Sequence, residues 1–170
     1  MLIMLEGLDG TGKSTLARQL SEILEMPVVN ILDGDDHKQL RAWGIPVNSY
    51  VDDIYFTDFW KRTGIDCIVD RCFISACVYG DVPTEVKEYW FRQLRDSQQE
   101  VFIIWLDADN ETIAKRDREW EGKGELLNEQ REKFRRLMLE AWNDRTHILH
   151  INTSNMGSDR VLGRVLDWIL

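Results

Sequence analysis

Positions 6–15 of the chain read Glu6-Gly7-Leu8-Asp9-Gly10-Thr11-Gly12-Lys13-Ser14-Thr15. Gly7, four further residues and then Gly12-Lys13-Ser14 match the pattern G-x-x-x-x-G-K-[ST], in which successive backbone N–H groups surround a polyphosphate. Before this stretch, residues 1–5 form an apolar run typical of a buried strand, and after it residues 15–24 have the period of an amphipathic helix. The sequence therefore predicts a phosphate-binding loop that joins a strand to a helix.

Each residue type in this loop has a physical task. The glycines allow positive φ and a close approach of the backbone to phosphates, and the N-terminus of the following helix supplies unpaired N–H donors. We expect Lys13 to span the β- and γ-phosphates and the Ser14 hydroxyl to ligate Mg²⁺. The predicted nucleotide-binding residues are Gly7, Gly10, Thr11, Gly12, Lys13, Ser14 and Thr15. A tight turn without a ligand is the alternative, and the complete motif in its context disfavours it.

Length and composition point to one domain over residues 1–170. A chain of 170 residues can bury a core without disulfides, and 44% hydrophobic with 30% charged residues is typical of a soluble protein. No apolar run reaches the roughly 18 residues of a membrane span, and we identify no leader peptide. We therefore expect a cytoplasmic protein that does not bind membranes, with Cys67, Cys72 and Cys77 as free thiols.

The charge is negative overall and unevenly spread. A net charge of −9 argues against broad binding to a nucleic-acid backbone. Basic residues nevertheless gather in the last third of the chain, at Lys115, Arg116, Arg118, Lys123, Arg131, Lys133, Arg135 and Arg136. Because a charge run is most often a solvated face, this group needs a separate reason to be functional.

Strand and helix patterns alternate along the whole chain. After the first strand, strands are predicted at residues 27–32, 65–69, 101–106 and 147–151. Further helices are predicted at residues 50–62, 73–79, 83–97, 110–118, 125–143 and 157–170. This order predicts an α/β fold with a five-stranded parallel sheet and helices on both faces. Ligands of such sheets bind beyond the carboxyl ends of the strands.

The third predicted strand runs into Asp70-Arg71. A strand that ends in Asp has the form of a Walker B element, whose carboxylate holds Mg²⁺ directly or through water. The alternative is that Asp70 caps the helix that starts at Cys72.

Several of these features together resemble the thymidylate kinase branch of the P-loop nucleoside and nucleotide kinases, over nearly the whole chain. The resemblance rests on residues 6–15 with Asp9 inside the loop, on Val69-Asp70-Arg71 followed by Ser75, Ala76, Tyr79 and Gly80, on Leu106-Asp107, and on Lys115-Arg116-Asp117-Arg118 followed by Glu125-Leu126 and Asn128-Glu129-Gln130. The loop alone is generic, whereas an Asp within it together with Asp-Arg after the third strand is more specific.

The resemblance implies an ATP- and Mg²⁺-dependent phosphotransferase of the nucleoside or nucleotide kinase type. Lys13 and Ser14 would hold ATP and Mg²⁺, Asp70 would belong to the Mg²⁺ shell, and Asp9 would meet the sugar of the acceptor. Arg71 would lie between the donor and acceptor phosphates. Family members are often dimers, so a homodimer is a further expectation.

The resemblance also gives the basic group a role. Arg116 and Arg118 would belong to a lid at about residues 116–124 that closes over the donor, stabilises the charge developing on the transferred phosphoryl group and excludes water. The alternative for each arginine is a salt bridge with Asp117, Glu121 or a neighbouring acid.

The acceptor side departs from the family. After its second strand the family usually has an Arg-Glu-Pro-Gly-like segment, whereas this chain has Asp33-Gly34-Asp35-Asp36. The family's acceptor-phosphate arginine would fall near Ser49, and Arg41 is the nearest upstream candidate. The missing cations weaken the case for an acceptor that already carries a phosphate. A hydroxyl acceptor needs a general base, which Asp33, Asp35 or Asp36 could supply, although the same residues also suit a solvated turn.

Three functions follow as hypotheses. The leading one is a kinase that acts on a pyrimidine deoxynucleotide or deoxynucleoside, with Phe56 or Trp60 stacking on the base. The second is a kinase whose acceptor is a hydroxyl on DNA, at a 5′-end or on a hydroxymethyl-pyrimidine base. The third is a nucleotide-dependent switch or ATPase. The polar residues Asn152-Thr153-Ser154 either contact the donor base or cap the last helix.

Overall fold

Five parallel strands form the centre of the structure, which is a computed structural model that describes residues 1–30 and 49–170, with the side chains of residues 49–52 and 55 outside that description. The strands are β1 (Leu2–Gly7), β2 (Val28–Val29), β3 (Cys67–Asp70), β4 (Val101–Asp107) and β5 (Thr146–Asn152). They lie in the order β2-β3-β1-β4-β5, and every pairing between them is parallel. The predicted five-stranded parallel sheet is therefore confirmed.

Helices connect the strands. Within the described residues they are α1 (Lys13–Leu24), α2 (Ser49–Thr63), α3 (Phe73–Tyr79), α4 (Thr84–Arg95), α5 (Asn110–Arg116), α6 (Gly124–Ala141) and α7 (Ser158–Ile169), with a 3₁₀ turn at Arg118–Trp120. The single helix predicted at residues 110–118 was wrong in its last turn. Asp117 is extended there, and its side chain accepts a hydrogen bond from the Glu119 backbone N–H, which starts the separate 3₁₀ turn.

The sheet is covered by hydrophobic residues on both faces, as alternating strand positions require. Leu2 and Met4 point to one face, where Trp60, Trp90 and Phe134 from α2, α4 and α6 complete a core. Ile3 and Leu5 point to the opposite face, where residues of α1 and α7 form a second core. Because Trp60 is almost fully buried in the first core, the expectation that it stacks on a ligand is wrong. Phe56 is half-buried and packs against the same core.

The order of the strands in the sheet determines where the candidate site lies. β1 lies between β3 and β4, and the chain leaves β1 toward one side of the sheet and later returns to the other side. Such a reversal opens a crevice at the carboxyl ends of the central strands. Gly7 ends β1 with φ +136°, and a Cβ there would lie 1.9 Å from the Leu106 carbonyl oxygen of β4. Only glycine allows this close approach, so the loop after β1 lies directly against β4.

Of the helices in the described part of the chain, none is both long and apolar enough to cross a membrane.

Candidate active site

The loop between β1 and α1 forms the floor of the candidate site. Gly12 has φ +96° immediately before α1 begins at Lys13, so the first amides of the helix face the carboxyl edge of the sheet. The Lys13 ammonium is buried and donates to the Leu8 carbonyl oxygen at 2.6 Å. Burial and the nearby charge of Arg71 lower the pKa of Lys13 to about 7. A polyphosphate in the loop would give this buried ammonium an anionic partner and raise its pKa again.

Ser14 and Asp70 meet across the sheet, although 56 residues separate them. The Ser14 hydroxyl donates to Asp70 Oδ2 at 2.6 Å. Asp70 Oδ1 is buried and has no hydrogen-bond partner among the described residues. Mg²⁺ prefers hard oxygen ligands and usually keeps several waters beside carboxylates and phosphates. An unpaired, buried carboxylate oxygen beside a hydroxyl supplies ligands of this kind. These residues therefore fit the predicted Mg²⁺ site.

Asp70 does not cap the helix that follows it. The first residue before α3 is Cys72, whose side chain makes no cap hydrogen bond. The Cys72 and Ser75 backbone N–H groups donate instead to Oε1 of Glu6, at 3.1 and 3.3 Å. The capping alternative for Asp70 is therefore wrong, because Glu6 of the neighbouring strand takes that role.

Arg71 reaches back over the loop. Its Nη1 donates to the Gly7 carbonyl oxygen at 3.0 Å and to the Ser75 hydroxyl at 3.1 Å, and its Nη2 forms an ion pair with Asp9. The guanidinium also lies over the Tyr79 ring, 5.4 Å from its centroid. Burial works to lower the pKa of Arg71, but Tyr79, Asp9 and Glu6 outweigh it and the pKa is raised. Arg71 is therefore a fixed cation at the mouth of the loop. We call Glu6, Asp9, Arg71 and Ser75 the arginine side of the site.

A cavity of about 250 Å³ opens on the other side of the loop. Its walls include Gly10, Thr15, Gln19, Arg116, Thr153 and Met156. Arg116 donates to the Gly10 carbonyl oxygen at 3.1 Å, to the Thr153 hydroxyl at 3.0 Å and to the Thr153 carbonyl oxygen at 2.9 Å. Its guanidinium thus joins the loop to the segment after β5. We call Gly10, Thr15, Arg116 and Thr153 the cavity side.

Thr153 is a buried junction that the sequence did not single out as structural. Its N–H donates to the Asp107 carbonyl oxygen at 2.7 Å, and its hydroxyl lies 3.1 Å from the Thr11 carbonyl oxygen. The side chain therefore connects β4, β5 and the phosphate-binding loop. The alternative that Asn152-Thr153-Ser154 caps the last helix is wrong, because that helix begins at Ser158 after Gly157 and has no side-chain cap. Thr153 instead forms part of the cavity wall.

The other basic residues of the predicted lid behave differently from Arg116. Lys115 pairs with Glu111 one helical turn away, as a solvated helix face requires. Arg118 is exposed in the 3₁₀ turn, and the described residues provide no hydrogen-bond partner for its side chain. Of the two predicted lid arginines, the structure brings only Arg116 to the loop.

The segment that carries Arg118 is anchored at its base. Arg131 of α6 donates to both carboxylate oxygens of Asp107, at 2.8 and 2.9 Å, and also to Asn110 and Asn128. Asn110 in turn donates to the Gly124 carbonyl oxygen at 3.3 Å. Because α5 begins at Asn110 and α6 begins at Gly124, these contacts join both ends of the intervening segment to the end of β4.

Two groups of predicted residues remain to be placed. Asp33 and Asp35, proposed as candidates for a general base, lie outside the described residues, together with Asp36 and Arg41. The sequence analysis assigned no role to Glu6. Its position could have indicated one, because Glu6 is the charged residue of an otherwise apolar strand. Cys67 and Cys72 are buried and Cys77 is half-buried, and all three are free thiols.

The fold and the loop define this chain as a P-loop protein with the architecture of the P-loop kinases. Residues 3–150 match the AAA domain family, and the chain belongs to that family. No curated protein matches the chain at a significant level.

Solved structures share the fold over almost the whole chain. The YorR protein of Bacillus subtilis, solved in complex with phosphorylated GDP, is similar with a TM-score of 0.72 at 22% identity, covering 99% of this chain and 95% of that one. Thymidylate kinase from Candida albicans gives a TM-score of 0.62 at 19% identity, with 99% and 90% covered. Deoxyadenosine kinase from M. mycoides with bound dATP gives 0.66 at 13% identity, with 99% of each chain covered. At these identities the likeness establishes the fold.

Proposed function

We propose that this protein is an ATP- and Mg²⁺-dependent kinase that transfers a phosphoryl group to a pyrimidine deoxynucleoside or deoxynucleotide. A P-loop alone occurs in switches, ATPases and kinases alike, so the loop does not decide between them. The observation that carries the proposal is the position of Arg71 at the mouth of the loop, where it forms an ion pair with Asp9 and donates a hydrogen bond to the Gly7 carbonyl oxygen. A cation fixed there stabilises the charge that develops between a donor γ-phosphate and an acceptor.

The donor would lie across the loop and the cavity side. Its phosphates would take the loop amides and Lys13, and its base would enter the cavity beside Arg116 and Thr153. Ser14 and Asp70 would hold Mg²⁺, which would neutralise the charge of the donor phosphates. Lys13 and Arg71 would then place positive charge beside the transferred group, so that positioning and electrostatics supply the catalysis.

The charges near Arg71 favour an acceptor hydroxyl that carries no phosphate of its own. Asp9 already pairs with Arg71. A phosphate dianion would meet this negative charge at a cost. We therefore favour a deoxynucleoside over a deoxynucleotide as the acceptor, with Asp33 or Asp35 as the base that accepts the hydroxyl proton.

The proposed lid spans residues 116–124 and closes over the donor. Arg116 already lies at the loop, whereas Arg118 lies on the exposed part of the segment. The contacts at Asn110 and Gly124 anchor both ends of the stretch that contains the proposed lid, and closure would bring Arg118 toward the phosphates.

An acceptor screen tests the proposal. The protein is incubated with ATP labelled at the γ-phosphate, Mg²⁺ and, in parallel, thymidine, deoxycytidine, dTMP, dCMP, a 5′-hydroxyl oligonucleotide and a duplex containing a hydroxymethyl pyrimidine. We expect label on a deoxynucleoside and less label on the monophosphates. Lys13→Ala protein, purified identically, controls for contaminating kinases. Label on DNA alone would establish the DNA hydroxyl as acceptor instead, and phosphate release with no labelled acceptor would indicate an ATPase or switch.

A further inference from the structure

Glu6 is a buried carboxylate that the proposed chemistry leaves unexplained. It has no solvent exposure, and burial raises its pKa. A buried carboxylate is costly unless donors surround it. Here Oε1 accepts from the Cys72 and Ser75 backbone N–H groups and from the Cys72 thiol at 3.0 Å, and Oε2 accepts from the Ser75 hydroxyl.

All of these donors belong to the start of α3, directly after Arg71. The first N–H groups of a helix have no partner within the helix, and Glu6 supplies one from β1. Because β1 also ends in the phosphate-binding loop, Glu6 ties the segment that carries Arg71 to the strand that carries the loop. The arginine and the loop thus share one rigid support.

Arg71 needs that support. It is a non-glycine residue with φ +69°, a strained conformation that persists only where the surroundings impose it. Its backbone N–H is fixed by the Leu5 carbonyl oxygen at 3.0 Å. Beyond that bond, Glu6 holds the chain directly after Arg71 by accepting from the Cys72 and Ser75 N–H groups.

Glu6 also sets the direction of the hydrogen bond that Arg71 makes. A serine hydroxyl has one proton to donate and two lone pairs that accept. Since the Ser75 hydroxyl donates its proton to Glu6 Oε2, its lone pairs remain for the Arg71 guanidinium, which can only donate. A group at position 6 that donated to Ser75 would take one of these lone pairs and leave the hydroxyl proton without the acceptor that fixes its direction, so the Ser75 hydroxyl would no longer be held in the orientation that Arg71 uses.

We propose that Glu6 is a positioning residue for Arg71, acting through Ser75 and the start of α3. The inference rests on the proposed function for its kinetic consequence, but the geometry of Arg71 can be measured without any acceptor. Glu6→Gln is the sharpest variant. Its carbonyl oxygen can still accept from the two backbone N–H groups, whereas its amide group donates to Ser75 and reverses the polarity of that single bond.

The test has a structural arm and a kinetic arm. In the structural arm, the ¹⁵N-labelled guanidinium signal of Arg71, assigned by its loss in Arg71→Gly, reports hindered rotation in the native protein. We expect Glu6→Gln and Ser75→Ala both to speed this rotation at least about fivefold. Ser97→Ala is the matched control, because Ser97 is a buried serine that bonds to Gln99 next to the amino end of β4.

In the kinetic arm, we expect Glu6→Gln to lower kcat about tenfold to a hundredfold, as loss of a group that orients a functional residue does, with the KM for ATP changed less than about twofold. In the Arg71→Gly background the same change should leave kcat unaltered, because a residue that acts through Arg71 has nothing left to position. Thermal unfolding of each variant identifies loss of the fold, and Ser75→Ala remains informative if Glu6→Gln is unstable.

The outcomes distinguish the positioning role of Glu6 from the proposed kinase function. Unchanged Arg71 rotation in both folded variants would overturn the positioning role, whatever the acceptor screen gives. Equal losses of kcat from Glu6→Gln with and without Arg71 would also overturn it, in favour of a purely structural role. Faster rotation in a protein that phosphorylates no acceptor would leave Glu6 as the support of Arg71 and refute the kinase proposal alone.

Discussion

The cavity side and the arginine side of the site are built from different chemical groups. On the cavity side, Arg116 is held largely by the carbonyl oxygens of Gly10 and Thr153. On the arginine side, Arg71 is held largely by the side chains of Asp9 and Ser75, with the buried Glu6 behind them. Backbone carbonyls are present whatever the residue, whereas each carboxylate or hydroxyl is lost with a single substitution.

This difference predicts how each side tolerates change. On the cavity side, only replacement of Arg116 itself removes both carbonyl contacts, and the loop then remains supported by Thr153. On the arginine side, replacement of any member changes the partners of the others, because the groups share protons and charge. We therefore expect donor affinity to depend mainly on the cavity side and the rate of transfer mainly on the arginine side.

The largest effect is expected at Lys13, which lies between the two sides. Lys13→Ala removes a buried cation that the transferred phosphate would need, and we expect kcat/KM to fall about 10²- to 10³-fold or more with the fold intact. Transfer of the labelled phosphoryl group measures kcat/KM, and circular dichroism shows whether the fold is intact. Lys61→Ala is the control, because Lys61 is an exposed lysine of α2 that contacts Gln93. Full activity of Lys13→Ala would refute the nucleotide site.

An intermediate effect is expected at Asp70. Asp70→Asn keeps an oxygen for the Ser14 hydroxyl but removes the negative charge that would hold Mg²⁺. We expect the Mg²⁺ concentration for half-maximal rate to rise about tenfold or more, with recovery of rate at high Mg²⁺. A Mg²⁺ titration at fixed ATP measures this shift, and an unshifted titration would assign Asp70 to the support of Ser14 alone.

The smallest effects separate Arg116 from Arg118. Arg116→Ala removes the contacts to Gly10 and Thr153, and at about 1.5–3 kcal/mol for a charged hydrogen bond we expect the KM for ATP to rise about tenfold with a smaller change in kcat. Arg118→Ala should leave the affinity of the free protein for a fluorescent ATP analogue within about twofold. Equal losses of affinity in both variants would contradict the distinction between a wall residue that makes three hydrogen bonds and a lid residue whose side chain makes none to the described residues.

The fold was largely predictable from the sequence because its signals are local. The strands at residues 101–106 and 147–151 were predicted within one residue at each end. The first of them is a fully buried apolar run, which has few alternatives. The helix predicted at residues 110–118 failed in its last turn, where the extended backbone of Asp117 interrupts a pattern that still had helical spacing. Trp60 was misassigned because helical periodicity does not distinguish a core face from a ligand face.

The site was predictable in part. Residues 6–15 by themselves located the phosphate-binding loop. Glycine, lysine and serine at this spacing have local backbone and side-chain properties that predict such a loop without knowledge of the fold. Tertiary structure decided which distant groups meet that loop. Ser14 meets Asp70, Arg71 meets Asp9, and Glu6 meets Ser75, over separations of 56, 62 and 69 residues. Parallel strand order brings these residues to one edge, and their spacing in the chain does not encode that contact.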